Sequence, residues 1–138
     1  MPHGVDPFKI EDPGAEELKA AVMIDTWIEE VKRGADPEEL GMILVHNGVV
    51  RGTSKSGKPV RGMTLSYDHT KLASLVPMFK RRPGVIDVKV WINSGNLKVG
   101  DNIMFLLVAG RFRTDVLPVF EEFLSLIKNE IVTEAETP

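Results

Sequence analysis

The chain has no cysteine among its 138 residues. That excludes a disulfide framework, a thiolate zinc site, an iron–sulfur cluster and a cysteine nucleophile. Aromatic residues are also scarce, at 7%, and none is interleaved with the basic stretch Arg51–Arg61. A strand of bases would therefore find no stacking platform there, and nucleic-acid binding is not expected. The longest uninterrupted apolar run is Ile103 to Ala109, far short of the ~20 residues that span a bilayer. Residues Met1 to Pro7 carry neither a basic flank nor an apolar stretch, so they do not read as a secretory signal. The expectation is a cytoplasmic protein with no membrane contact.

What is present fits one domain over residues 1–138, since a chain of this length can bury a core without staples. The net charge is −3 but unevenly spread. Arg51, Lys55, Lys58 and Arg61 form one basic stretch, Lys80, Arg81 and Arg82 a second, and the tail after Lys128 carries only acids. Local basic clusters on an acidic protein suit a small anion better than a polyanion. Residues 1–7 and 132–138 are expected to fray, and 52–59, rich in Gly, Ser and Lys, to form a flexible loop.

Phe8-Lys9-Ile10 alternates like a short strand, and Asp12-Pro13 reads as a cap with proline at the first helical position. A helix follows with Leu18, Ala21, Val22, Ile28 and Val31 on its apolar face, stopping at Gly34. Asp36-Pro37 signals a single turn. Gly41–Arg51 and Val60–Tyr67 are β-rich and are expected to pair across the loop. Leu72, Leu75, Val76 and Phe79 predict a second helix, interrupted or bent near Pro77. Val85–Asn93 alternates as a strand, Gly95–Leu97 and Val99–Asn102 read as turns, and Ile103–Gly110 reads as a buried strand. A last helix, from about Thr114 to Ile131, aligns Val116, Phe120, Phe123, Ile127 and Ile131. Hairpins alternating with single helices predict an α+β fold, a mixed or antiparallel sheet with helices packed on one face.

Gly52-x-x-x-x-Gly57-Lys58 imitates a phosphate-binding loop. Pro59 stands where a magnesium-holding hydroxyl is needed, and a strand rather than a helix follows, so the motif fails. His46 and His69 fall in strands expected to be neighbours, yet two histidines without a third ligand do not make a metal site, and none is expected. Arg51 closes a strand beside the basic loop, and Arg111 and Arg113 precede the last helix. Lys128 follows Leu117 and Leu124 on the shoulder of that helix's apolar face. Together these cations could converge on an anion. Taken singly, each reads as a solvated arginine or a snorkelling lysine.

The ordered residues resemble a known family, the large, catalytic subunit of molybdopterin synthase (MoaE-like proteins). The likeness runs from about Phe8 to Lys128. Gly41-Met-Ile-Leu-Val-His-Asn-Gly48-Val-Val-Arg51 resembles the family's glycine, hydrophobic strand and Gly-x-Val-Arg. Leu65-Ser66-Tyr67-Asp68 resembles its Leu-Glu-Tyr-Glu strand, and Gly95-Asn-Leu-Lys-Val-Gly-Asp101 its Gly-x-Leu-x-x-Gly-Asp/Glu turn. Arg113 falls on the arginine of a His-Arg pair and Lys128 on the first active-site lysine.

The resemblance implies an α/β-hammerhead-like fold and a homodimer within a heterotetramer, with no cofactor. The partner would be a small ubiquitin-like sulfur carrier (MoaD-like), whose C-terminal thiocarboxylate gives sulfur to cyclic pyranopterin monophosphate. It implies that Arg51 and Arg113, flanked by Arg111, hold phosphate or pterin oxygens and that Lys128 is the acid/base or electrostatic catalyst. Departures are equally specific. Phe112 replaces the family's histidine, Asn93-Ser94 a second His-Arg pair, and Val132–Glu136 the segment bearing a second lysine. Two functions stay open: a sulfur-transfer subunit working with a reduced set, or a non-catalytic relative that binds the partner or a pterin-like anion without turnover.

Overall fold

The computed structural model describes the backbone of residues 15–138 and side chains from Val22 onward. The expected strand Phe8–Ile10 and the cap at Asp12-Pro13 lie outside the described residues. In chain order come helix α1 (Ala15–Gly34), strands β1 (Met42–Val49) and β2 (Gly62–Tyr67), and helix α2 (His69–Lys80). Strands β3 (Val85–Ile92), β4 (Gly95–Lys98) and β5 (Asn102–Gly110) follow, then helix α3 (Arg113–Leu126). The chain continues from α3 as a π-helical turn, Ile127–Ile131, into strand β6 (Val132–Thr137). The strands form two antiparallel sheets of three, in the orders β1-β5-β3 and β4-β2-β6.

Strand β5 explains the architecture. Its residues 104–110 are all buried, and successive side chains on a strand point to opposite faces. Phe105, Leu107 and Ala109 meet Met23, Trp27 and Val31 of α1, while Met104, Leu106 and Val108 join the larger core with Phe79, Val116 and Phe123. A strand covered on both sides must be apolar at every position, which is why this run does not alternate. The helices therefore pack on both faces of the sheet rather than on one, α1 on one side and α2 and α3 on the other.

The expected face of α1 holds at Ile28 and Val31 and is corrected at Val22. Val22 is 47% exposed, whereas Met23 and Val31 are buried. The stripe Met23, Trp27, Val31, spaced at i, i+4 and i+8, carries the contact and turns Val22 outward. Helix α2 is capped by Asp68, whose side chain accepts from the Lys71 amide at 3.0 Å. It runs without interruption through Pro77.

Three further expectations are corrected. β1 and β2 do not pair: β1 lies against β5, and the segment between them crosses to the second sheet. Gly95–Leu97 is not a turn but β4, paired with β2 from Gly62↔Lys98 to Leu65↔Gly95. The tail is not frayed but forms β6, paired with β2 from Gly62↔Thr137 to Tyr67↔Val132. The local sequence Val132-Thr-Glu-Ala-Glu-Thr137 lacks an apolar face because five of its six residues are exposed. Its pairing comes from the backbone, which leaves little trace in hydropathy.

Candidate functional site

Lys128 stands exposed on the π-helical turn that follows α3. Its charge acts on His46, at the middle of β1, whose imidazole is pushed below the ordinary histidine range. Burial is the larger cause, since it penalises the charged ring, and the nearby ammonium adds to it. His46 takes its place on the α3 side of the sheet by strand alternation with Met42 and Leu44, both packed on the main core. Its ring meets Phe120 edge-on at 6.0 Å. The Nε2 atom is buried and has no hydrogen-bond partner among the described residues.

His69 is not beside His46. It is the first residue of α2 and stacks on Tyr67 at 3.9 Å. Among the described residues no group of three or more His, Cys, Asp or Glu is placed to hold a metal ion.

Arg51 follows β1 and lines a cavity of about 540 Å³ with Val49, Ser54, Lys55, Ile103, Glu134 and Glu136, among others. Its guanidinium is turned into its own loop, with Nε donating to the Thr53 carbonyl at 3.0 Å and Nη2 to the Ser54 carbonyl at 3.1 Å. The segment that imitates a phosphate loop is closed by a Thr53↔Pro59 bridge and leads into β2. No helix opens there, so its amides form no phosphate cradle.

Arg111 and Arg113 sit at the opposite end of the sheet. Arg111 pairs loosely with Glu39 at 3.8 Å and Asp115 at 3.9 Å, and its guanidinium lies 5.7 Å from the Phe112 ring. Phe112 itself is 63% exposed. Arg113 is the first residue of α3 and is exposed. A tight glycine corner fixes this end. Gly84, with φ +80°, has the Asp115 carboxyl where a Cβ would stand, and Gly110 has the Gly84 carbonyl in the same relation. The Arg111 amide donates to the Gly84 carbonyl at 3.0 Å.

One chain thus sets His46 within reach of the Lys128 charge and keeps the arginines apart. In the β1–β5 ladder Met42 faces Gly110 and Val49 faces Asn102, so Arg51 and Arg111 leave from opposite ends. Nine residues of β5 at ~3.3 Å each separate those ends by roughly 25–30 Å. Arg113 and Lys128 stand at the two ends of α3 and its π turn, about 20 Å apart at ~1.5 Å per residue.

Two features of the site do not stand out in the sequence. His46 reads there as a hydrogen-bonded strand histidine rather than a metal ligand, whereas its Nε2 is buried without a hydrogen-bond partner among the described residues. Glu134 and Glu136, expected in a frayed tail, line the Arg51 cavity because β6 is pinned to β2.

The fold is shared with solved molybdopterin synthase proteins. A complex of subunits 1 and 2 of molybdopterin-converting factor from Helicobacter pylori 26695 contains a chain with a TM-score of 0.68 and 16% identity. That match covers 85% of this chain and 77% of the other. Molybdopterin synthase from Staphylococcus aureus gives 0.65 at 19% identity, covering 79% and 82%. The molybdopterin biosynthesis MoaE protein from Burkholderia ambifaria gives 0.64 at 19%, covering 83% and 81%. No curated protein sequence matches. The family model described as MoaE protein matches residues 19–130, and the chain belongs to that family. Family and structural neighbours together support a role in molybdenum cofactor biosynthesis.

Proposed function

We propose that this chain is the catalytic subunit of a molybdopterin synthase. It takes sulfur from the thiocarboxylated C-terminus of a small ubiquitin-like partner and passes it to cyclic pyranopterin monophosphate. The observation that carries the reading is Lys128, exposed on the π turn, where its charge helps hold the His46 imidazole below the ordinary histidine range, within a family match that extends through residue 130. A fixed ammonium there stabilises the negative charge that develops on the thiocarboxylate carbonyl as sulfur leaves, and an ammonium can also return a proton. Such roles are typically worth ~10²–10⁴-fold in rate.

Arg113, exposed and open to solvent, is the better placed arginine for phosphate or pterin oxygens, with Arg111 beside it. Because it stands about 20 Å from Lys128 within one chain, a shared site needs a second copy. The reading therefore carries with it a homodimer in which one copy's Arg113 serves the other's Lys128.

A specific observation favours the alternative, a relative that binds without turnover. Arg51 spends two of its donors on its own loop and shares its cavity with Glu134 and Glu136, an arrangement that repels rather than gathers a phosphate.

Reconstitution decides between them. The chain is mixed with a thiocarboxylated partner and the cyclic pterin precursor, and molybdopterin is measured beside complex formation by gel filtration. Product that disappears with Lys128→Met while the complex persists supports catalysis. A stable complex with no product identifies a binding module instead.

A further inference from the structure

The cavity at the end of β1 is lined by charges of both signs. Glu134 and Glu136 stand two residues apart on β6, so their side chains leave the strand on one face. That face is the inner one. Glu134 lies opposite Leu65 and Glu136 opposite Met63, both of them buried in the core, and residues directly opposite in a ladder share a face of the sheet. Among the described residues neither carboxylate is in an ion pair. The facing wall is the 51–56 loop, where Arg51 has N–H donors left over from its two loop carbonyls and Lys55 is exposed. Val49, 50% exposed, and Ile103 add apolar surface. The volume of about 540 Å³ is of small-molecule size. Two carboxylates stand against a guanidinium and an ammonium, so the formal charges of the lining cancel. A phosphate would meet the acids and an amine would meet the bases. A neutral ring that carries both donors and acceptors meets a complement on each side.

We propose that Glu134 and Glu136 are specificity residues that select a flat heterocycle by its 2-amino-4-oxo edge. Such an edge presents a ring N–H and an amino N–H side by side, with a carbonyl next to them. A carboxylate accepts the two N–H groups together, in the same fork geometry that it offers a guanidinium. The carbonyl accepts from Arg51 or Lys55 on the facing wall, and the ring faces rest on Val49 and Ile103. No bond is made or broken in this step. The acids that turn a phosphate away from Arg51 are thus the groups that hold the other end of the same kind of molecule. Guanine and pterin rings share this edge. The choice of a pterin rests on the sulfur-transfer reading above, whereas the recognition chemistry does not.

The test reads binding without turnover. The full chain is titrated calorimetrically with neopterin and with guanosine, neither of which carries a phosphate, and with lumazine and inosine, which lack the amino group. Neopterin or guanosine should bind, and which of them binds tells a pterin ring from a guanine. Lumazine and inosine should bind ~10–100-fold more weakly, because each leaves a carboxylate oxygen unmatched. The double variant Glu134→Gln/Glu136→Gln should lose the preference for the amino group by a similar factor. Both side chains are exposed, so its melting curve should match the wild type. Inorganic phosphate in excess should leave ring binding unchanged. If neither amino ring binds, if lumazine and inosine bind as well as their amino counterparts, or if the double variant keeps the preference, the proposal is overturned. The two acids then serve only as inward-pointing charges that keep an edge strand from pairing with another sheet. Molybdopterin made at an undiminished rate by the double variant would also overturn it, and would leave the sulfur-transfer reading standing. Amino-dependent ring binding in a chain that makes no molybdopterin would do the reverse.

Discussion

The glycine corner that sets the start of α3 offers a sharp test of how this end of the sheet is packed. Replacing Gly84 with alanine does two things at once. It places a side chain at φ +80°, a conformation that costs a non-glycine residue about 1–3 kcal/mol. It also drives a methyl into Cγ and Oδ2 of Asp115, so the carboxylate has to swing away. That displacement gives up the Arg111 contact and the acidic charge in the first turn of α3, together worth about 0.5–1.5 kcal/mol. Gly84→Ala should therefore cost about 2–4 kcal/mol, lowering the melting temperature by roughly 8–15 °C for a chain of this size. The two contributions separate in a double-mutant cycle read by urea denaturation. In an Asp115→Ala background the carboxyl is gone, and the backbone strain remains together with the 2.7 Å approach of residue 115's Cβ, so Gly84→Ala should cost about 1 kcal/mol less than in the wild type. Equal costs in both backgrounds would refute the clash, and a cost under about 0.5 kcal/mol would refute the strain as well.

Other outcomes follow from the same packing and charges. Phe123→Ala removes a fully buried ring stacked on Phe79 at 4.4 Å and should cost about 3–5 kcal/mol in chemical denaturation. The lowered affinity of His46 for protons has a definite sign. Below the ordinary histidine value of 6.5 the unfolded chain binds a proton that the folded chain resists, so stability is full above that pH and declines as pH falls through it. His46→Phe should flatten this part of the stability profile, and a wild-type profile already flat from pH 7 to 5.5 would count against it. Strand β6 is mostly exposed and depends on its ladder to β2. Net gains of about 1 kcal/mol per hydrogen bond barely offset the cost of ordering each residue. Amide exchange should therefore be much faster in residues 132–137 than in β5, and deleting 132–138 should cost under about 2 kcal/mol.

Hydropathy reveals most of this molecule wherever burial is one-sided or complete. Periodicity finds α2 and locates the last helix, with the π turn that continues it, to within a residue or two, and the unbroken run at 103–110 reads as buried because no other arrangement tolerates it. Pairing is harder to read. The link between β1 and β2 looks like a hairpin loop, but the continuous apolar face of β5 makes it the better neighbour for β1, and a contact so distant in sequence leaves no local mark. β4 and β6 escape notice because Gly-Asn-Leu-Lys and Val-Thr-Glu-Ala-Glu-Thr bury one side chain or none, and backbone hydrogen bonding has no composition. Within the site, residue types are legible and distances are not. Arg51, Arg113 and Lys128 match a family pattern in order, yet order says nothing of the sheet length between them. The π turn that carries Lys128 has no sequence signature.

That β5 is sandwiched has one more consequence. α1 leans on the back of the first sheet as a separate slab, joined to β1 by the short stretch 35–41. Peeling it away, by protease or by an N-terminal trim in expression, would bare a band of Phe105, Leu107, Ile43, Val45 and Trp91. Such a shortened product would keep the Lys128 face intact while acquiring an adhesive underside, and would be recovered as clumped material rather than as a smaller working subunit.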